Sequence, residues 1–317
     1  MTRQAWGRPA AGREPAAAAL LSWLADPEAP RLCVVSGAEA SGKSTLLAWL
    51  IAHGTRPGTP AGRRVHGIVP LAGLTATAAA WMLADQLGVA ARTPDELVDR
   101  LAADPRRTVI VLPDLHAAAD PRALAEFALE LLGLDHVRLI VEARSGGGPS
   151  TTLSAVPAAT MDLDEPQWVE RERYTAWAAE RQPHTREPDA PPLAIDLDDP
   201  AAICGADPWA VTARYERSVD AHGGLRAAWL RAGASLTRDQ SVPDRAVVLL
   251  AALGDDADPR LPRALADLAE GAPWRVVWRR VRGDIHPRGR ARRTRWRWAA
   301  ARRRTGCWPL ITRAPSD

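Results

Sequence analysis

The sequence of 317 residues is poor in cysteine and has no long apolar stretch. Its three cysteines, Cys33, Cys204 and Cys307, are scattered, and no two of them form a Cys-x-x-Cys pair. This argues against a disulfide framework or a zinc site and favours a reducing, cytoplasmic location. No run of about 18 residues lacks charged and polar side chains, so the sequence predicts no membrane span. Residues 1–15 contain no apolar segment of the kind that a secretory signal needs.

Asparagine is absent, phenylalanine occurs once, tyrosine occurs twice, and one of the 41 basic residues is a lysine. All four amino acids have AT-rich codons, so the base composition of the gene explains their scarcity more simply than selection for arginine. The content of 46% apolar and 25% charged residues is that of a globular protein and excludes a chain that is disordered throughout. The position of the single lysine, Lys43, is therefore informative.

The charge is spread unevenly along the chain. Residues 271–317 hold 14 Arg and two Asp, whereas residues 1–270 hold 27 basic and 36 acidic residues. A strongly basic tail therefore follows an acidic body.

Short apolar segments of strand length alternate with segments of helical periodicity through the first half of the chain. This alternation predicts an α/β fold in which a parallel sheet is covered by helices on both faces. Asp120, followed by a proline, is expected to cap a helix. The strands are expected at residues 31–36, 65–71, 108–112, 137–142 and 158–163. The helices of this half are expected at residues 16–24, 43–53, 75–87, 95–102 and 121–132.

The second half of the chain shows helical patterns without strands between them. Residues 182–200 are rich in Pro, Asp and Glu and are expected to form a linker or an exposed loop. The predicted organisation is an α/β domain, an all-helical domain and a basic, disordered tail, at residues 1–165, 166–271 and 272–317. The helices of this half are expected at residues 165–181, 207–232, 243–253 and 261–270.

One motif carries most of the functional information. Residues 37–44 match the phosphate-binding pattern G-x-x-x-x-G-K-[ST] at every fixed position, between a predicted strand and a predicted helix. The glycines let backbone N–H groups surround a phosphate, and the helix N-terminus adds partial positive charge. Lys43 can reach the β- and γ-phosphates, and the Ser44 hydroxyl can ligate Mg²⁺. The motif predicts that the α/β domain at residues 1–165 is a P-loop NTPase domain. The predicted nucleotide-binding residues of this segment are Gly37, Ala38, Glu39, Ala40, Ser41, Gly42, Lys43, Ser44 and Thr45.

Hydrolysis of ATP also needs a carboxylate at the end of a neighbouring strand to hold Mg²⁺, and usually a base that positions water. Asp114 follows the third predicted strand and is the Mg²⁺ candidate, against the alternative of turn formation or helix capping. His116 could act as the base, because its unperturbed pKa lies near neutrality. The alternative is a loop histidine without a role.

Two more polar residues stand at the end of the fourth predicted strand, which should lie next to the strand that precedes Asp114. Arg144 could sense the γ-phosphate, and Glu142 could replace a missing carboxylate. The alternative for both residues is a solvated strand end.

Together, the Gly12-Arg13-Glu14 segment, the loop at 37–44, the Asp114 strand and Arg144 resemble the STAND class of signal-transduction P-loop ATPases, which are related to AAA+ proteins. The resemblance covers roughly residues 10–180. It implies that the segment with Arg13 helps to cover the base of ATP, and that helical domains fold over the nucleotide to regulate a protein effector or a nucleotide-dependent homo-oligomer.

The chain departs from the acidic pattern of this class after the third strand. The acids of the class fall on Pro113, His116 and Ala117, so Asp114 is a shifted or unrelated acid. The resemblance therefore implies nucleotide binding more firmly than hydrolysis, and the expected function is a switch with slow or absent turnover.

The sequence offers alternatives to a nucleotide-controlled switch. A metabolic P-loop kinase would need an acceptor pocket and a lid, neither of which is recognisable in the sequence. The Arg- and Trp-rich residues 286–317 could bind nucleic acid, as in an AAA+-like ATPase, or lie on an anionic membrane surface. A solvated tail, or the remnant of a lost C-terminal propeller domain, is the alternative that the composition favours.

Overall fold

The computed structural model divides into two compact units, residues 1–193 and residues 194–317. Cys307, the linker residues 182–193 and most of the basic tail lie outside the residues that the structure describes. The described residues are 9–144, 152–180, 194–281 and 311–313.

A five-stranded parallel sheet forms the centre of the first unit. The strands stand in the order β2-β3-β4-β1-β5, so the carboxyl end of β4 lies between those of β1 and β3. Every residue of β3 and β4 is buried, as expected for central strands with both faces covered. The α/β fold predicted from the sequence is thus confirmed. The strands are β1 (Leu32–Ser36), β2 (Gly67–Ile68), β3 (Thr108–Leu112), β4 (Val137–Glu142) and β5 (Ala158–Asp162).

Polar caps fix the starts of several helices in this unit. The side chains of Thr75, Thr93 and Asp120 each accept a hydrogen bond from a backbone N–H in the first turn of the helix that follows. This confirms the predicted cap at Asp120. The helices are α1 (Glu14–Ala25), α2 (Lys43–Gly54), α3 (Ala76–Leu87), α4 (Pro94–Ala102), α5 (Pro121–Leu132) and α6 (Arg171–Glu180).

Strand β2 is much shorter than the predicted strand at 65–71. The segment does run beside β3, because the backbone N–H groups of His66, Val69 and Leu71 donate to carbonyl groups of β3 and Pro113. The bonds that β3 donates back to this segment are incomplete. The N–H of Val109 donates to the imidazole Nδ1 of His66 at 3.0 Å, and Pro113 has no N–H to donate.

The first unit extends past residue 165, where the sequence predicts the end of the NTPase domain. The N–H of Glu170 donates to the carbonyl oxygen of Gly12 at 2.8 Å, and the N–H of Leu163 donates to that of Ser36 at 2.9 Å. These bonds attach the segment after β5 to the N-terminal segment and to the end of β1.

The second unit is built mainly of helices around a separate apolar core. Trp229 and Tyr215 are fully buried in this core, and Trp229 donates to the hydroxyl of Thr212 at 3.0 Å. The predicted all-helical domain is confirmed in this part of the chain. Its helices are α7 (Pro200–Gly205), α8 (Pro208–Arg217), α9 (Leu225–Leu236), α10 (Val242–Ala252) and α11 (Leu261–Leu268).

One prediction for this unit is wrong. The single helix expected at 207–232 is interrupted between α8 and α9, where Gly223 and Gly224 have φ angles of 61° and 98° that a right-handed helix does not allow. After the helices, β6 (Trp274–Val276) pairs antiparallel with β7 (Ile311–Arg313). Strands of three residues are too short for an alternating pattern to show.

The prediction that the chain has no membrane span agrees with the structure as far as it is described. Within those residues, no helix combines the length and the apolar character needed to cross a bilayer.

Candidate functional site

The loop at residues 37–42 connects β1 to α2 at the carboxyl edge of the sheet. Gly37 and Gly42 have φ angles of 146° and 88°, and Ala40 adopts the left-handed region with φ 61°. A Cβ atom on Gly37 would lie 2.6 Å from Ser41 Oγ, a distance shorter than Cβ atoms show to other heavy atoms in real structures. The two glycines of the motif are therefore required by the backbone shape of the loop.

The side chain of Lys43 lies inside this loop and is buried, with 7% of the residue exposed. Its ammonium group donates to the carbonyl oxygens of Gly37 at 2.8 Å and Ala38 at 2.6 Å. A third, longer contact at 3.4 Å joins it to the hydroxyl of Ser41. The one lysine of the sequence thus sits at the first turn of α2, enclosed by the loop that precedes it.

Arg13 of the Gly-Arg-Glu segment is also buried, with 2% of the residue exposed. Its guanidinium group donates to the carbonyl oxygens of Ser41, of Leu163 at 2.9 Å and of Trp168 at 3.3 Å. It also lies 5.1 Å from the centre of the Tyr174 ring, within the range of a cation–π contact. Arg13 therefore ties the loop to the segment after β5. Whether it also covers a nucleotide base stays a prediction.

Sequence reasoning missed two residues that hold the loop in place. The carboxylate of Asp164 accepts a hydrogen bond from the N–H of Ala38 at 2.7 Å. The hydroxyl of Tyr174 donates to the carbonyl oxygen of Ala40 at 3.3 Å. Asp164 could have been found, because it follows β5 and the carboxyl ends of parallel strands meet at one edge. No local pattern marks Tyr174.

Glu142 is the last residue of β4, and 1% of it is exposed, so it is not the solvated strand end that the sequence left open. Its Oε1 atom lies 3.5 Å from the hydroxyl oxygen of Ser44. Burial raises the pKa of Glu142, and the nearby Asp114 carboxylate raises it further. The sheet thus brings an acid at the end of one strand to the first turn of the loop helix.

Asp114 follows β3 after one residue and is partly exposed. Its φ of 59° lies in the left-handed region, which Asp tolerates better than most residues. Its backbone N–H donates to the carboxylate of Glu142. The two acids that the sequence singled out are therefore neighbours, joined through a main-chain group.

His116 and Arg144 lie close to the same edge. Burial lowers the pKa of His116, and the positive charge of Arg144 lowers it further, so the neutral imidazole is favoured. The Nδ1 atom of His116 is buried and has no hydrogen-bond partner within the described residues. Arg144 forms an exposed ion pair with Glu39 of the loop at 3.6 Å, which contributes little to stability. All four predicted catalytic residues are thus gathered around the loop.

In the described part of the chain, no group of three or more His, Cys, Asp and Glu side chains is placed to hold a metal ion. Mg²⁺ at a nucleotide needs fewer protein ligands, because phosphate and water oxygens complete its shell. The hydroxyl of Ser44 and the carboxylates near it supply the hard oxygen atoms that Mg²⁺ prefers. The residues present therefore fit a magnesium ion that is bound together with a phosphate group.

A cavity of about 380 Å³ lies far from this chemistry. It opens at the amino end of β1, between Glu28, Arg31 and Leu132. The loop leaves the opposite, carboxyl end of that strand. The cavity and the candidate site at the loop therefore lie at opposite ends of β1.

Comparison with known proteins leaves the family open. No protein family and no curated protein matches the sequence. Among solved structures, the chain is similar to one in the structure of Drosophila ORC bound to AT-rich DNA and Cdc6. The identity is 12% and the TM-score 0.32, and the match covers 49% of this chain and 58% of that chain. A likeness of this strength carries no argument about function.

Proposed function

We propose that the chain binds ATP with Mg²⁺ and acts as a nucleotide-controlled switch, similar to STAND proteins, with slow or absent hydrolysis. The observation that carries the proposal is the loop at residues 37–44, which encloses the ammonium group of Lys43 at the start of α2. Backbone N–H groups at a helix N-terminus, together with a lysine and a hydroxyl, form a phosphate site. We propose Ser44 and one of the acids Asp114 and Glu142 as the protein ligands of Mg²⁺.

The contacts of Arg13 support the switch function. Arg13 joins the main chain of the loop to the segment that leads into α6, so a change in the loop on phosphate binding would move atoms that this segment contacts. The departure at Pro113, where STAND proteins carry an acid, supports slow turnover. We further propose a cytoplasmic location, with a protein effector or a nucleotide-dependent homo-oligomer as the output.

The first test is equilibrium binding of ATP, with Lys43→Ala as the loss variant and Arg122→Ala as the matched control. Arg122 is an exposed cation on α5, so its removal changes the net charge equally. One hydrogen bond to a charged group contributes about 1.5 to 3 kcal/mol, so Lys43→Ala should weaken binding by about 10- to 150-fold. Arg122→Ala should bind as the wild type does.

Absence of binding in the wild type, or equal binding by Lys43→Ala, would refute the proposal. Competition with GTP tests the preference for ATP, which comes from the STAND resemblance alone. Single-turnover hydrolysis then separates a slow ATPase from a protein that only binds: turnover that Lys43→Ala removes would show a working site with a rearranged acid.

A further inference from the structure

Glu142 is an ionisable residue in an unusual, buried position at the end of β4. It is 1% exposed, and its Oε2 atom is buried without a hydrogen-bond partner within the described residues. Its other oxygen has a long contact of 3.5 Å with Ser44, and the Asp114 N–H is its main-chain donor. A buried carboxylate with an unsatisfied oxygen opposes folding, so the position calls for a compensating cation.

Lys43, the one lysine of the sequence, supplies only part of that compensation. Its positive charge lowers the pKa of Glu142, but its ammonium group donates to the carbonyl oxygens of Gly37 and Ala38. Arg144, two residues after Glu142, is paired with the exposed Glu39. Among the described residues, no cation therefore forms an ion pair with the Glu142 carboxylate, whose Oε1 atom lies beside the Ser44 hydroxyl.

We propose that Glu142, at the end of β4, is the carboxylate that holds Mg²⁺ together with the Ser44 hydroxyl, in place of an acid at the end of β3. This inference rests on the proposed nucleotide binding. Ligands about 2.0 to 2.1 Å from an octahedral Mg²⁺ lie about 2.9 Å apart when adjacent and about 4.2 Å apart when opposite. The separation of 3.5 Å between Ser44 Oγ and Glu142 Oε1 is longer than that of adjacent ligands, so the two oxygens would move closer together around the ion. Glu142 and Ser44 thus bring one negative and one neutral oxygen to the ion.

Asp114 takes a different part in this arrangement. Its backbone N–H donates to the Glu142 carboxylate, so the turn after β3 orients that carboxylate through the main chain. Its own side chain is partly exposed, whereas Glu142 is buried against α2. Asp114 is therefore a positioning residue, acting by its amide group, and its carboxylate is less important for the metal.

The test measures the affinity for ADP with Mg²⁺ and with EDTA, so no phosphate is cleaved and turnover plays no part. The variants are Glu142→Gln, which keeps the shape and removes the charge, and Glu126→Gln, a matched control on the exposed face of α5. Losing even an outer-shell partner costs a metal site about 10- to 100-fold in affinity. Glu142→Gln should lose at least that much Mg²⁺ affinity and bind ADP in EDTA as the wild type does. Glu126→Gln should keep the full effect of Mg²⁺.

Electron paramagnetic resonance of Mn²⁺, used in place of Mg²⁺, reads the metal itself: the wild type with ADP should show bound Mn²⁺, and Glu142→Gln should not. Asp114→Asn distinguishes the contributions of the two carboxylates to metal binding. The metal should strengthen ADP binding more in this variant than in Glu142→Gln. The reverse ranking overturns the inference, and so does a wild type that binds ADP equally with and without metal. Both results leave nucleotide binding intact. A wild type that binds no nucleotide removes the proposed function and this inference together.

The stability of the ligand-free protein checks that the variant folds. Because Glu142→Gln removes a buried, incompletely paired charge, its melting temperature should equal or exceed that of the wild type. ADP with Mg²⁺ should then raise the melting temperature of the wild type more than that of the variant. An equal rise in both proteins counts against the metal role even if catalysis is lost, because a residue that only activates water does not contribute to metal binding.

Discussion

At the scale of single residues, backbone shape around the loop matters as much as side-chain chemistry. Gly12 has a φ of 59°, and a Cβ atom there would lie 2.5 Å from the carbonyl oxygen of Glu170 and 2.9 Å from the N–H nitrogen of Tyr174. The Gly-Arg-Glu segment thus needs its glycine in order to approach the start of α6. This approach places the next residue, Arg13, against the loop.

Gly12→Ala should therefore lower the free energy of unfolding of the first unit by more than the strain of a left-handed alanine alone. Gly58→Ala is the matched control, because Gly58 has a φ of 86° but nothing within 4 Å of an added Cβ atom. A left-handed residue other than glycine costs about 1 to 2 kcal/mol, which is the loss expected for the control. Gly12→Ala should lose about 3 kcal/mol or more in urea denaturation and bind ATP more weakly. Equal losses in the two variants would show that the contact with Glu170 is unimportant.

At the scale of elements, the edge of the sheet at β2 depends on a side chain as well as on the backbone. The N–H of Val109 in β3 donates to His66 Nδ1 at 3.0 Å, and the N–H of His66 donates back to the carbonyl oxygen of Val109 at 2.8 Å. Only the neutral imidazole can accept at Nδ1, and protonation would set two N–H groups against each other. This element is therefore sensitive to pH.

Burial lowers the pKa of His66, and Arg64, Arg107 and Arg106 lower it further. The unfolded chain therefore takes up a proton more readily than the folded one. The contribution of His66 to stability is complete above the ordinary pKa of 6.5 and is lost as the pH falls through the lowered value of the folded state. The urea midpoint should thus fall between pH 7 and pH 5.

His66→Asn tests this prediction, because the amide oxygen can accept the hydrogen bond and does not titrate. The variant should show a flatter decline with falling pH, and at pH 8 its stability should lie within about 1 kcal/mol of the wild type. An unchanged slope would place the pH dependence elsewhere.

At the scale of the whole molecule, each of the two units has an apolar core of its own. One core joins the sheet to α1 and α2, and Leu50 is fully buried in it. The other joins the helices of the second unit, and Leu249 is fully buried there. The proposed nucleotide site belongs to the first unit alone.

Scanning calorimetry should therefore show two transitions, with nucleotide raising one of them. Leu50→Ala and Leu249→Ala are a matched pair, because each truncates a leucine with 0% exposure and should cost about 2 to 5 kcal/mol. ADP with Mg²⁺ should raise the transition that Leu50→Ala lowers, and Leu249→Ala should lower the other. One transition affected by both variants would contradict this division.

The sequence by itself determined the elements whose signals are local. Strands β3 and β4 and helix α5 have the predicted bounds, because continuous apolar runs and a capped start need no distant partner to be recognised. The motif at residues 37–44 and its lysine, Lys43, are recognisable in the same way, since the spacing of the motif follows from backbone shape. Tertiary structure alone decided the surroundings of the loop. The burial of Glu142 depends on β4 lying between β1 and β3, and the roles of Asp164 and Tyr174 depend on a segment more than 120 residues along the chain folding back onto the loop. Such contacts are long-range, so no window of sequence contains both partners.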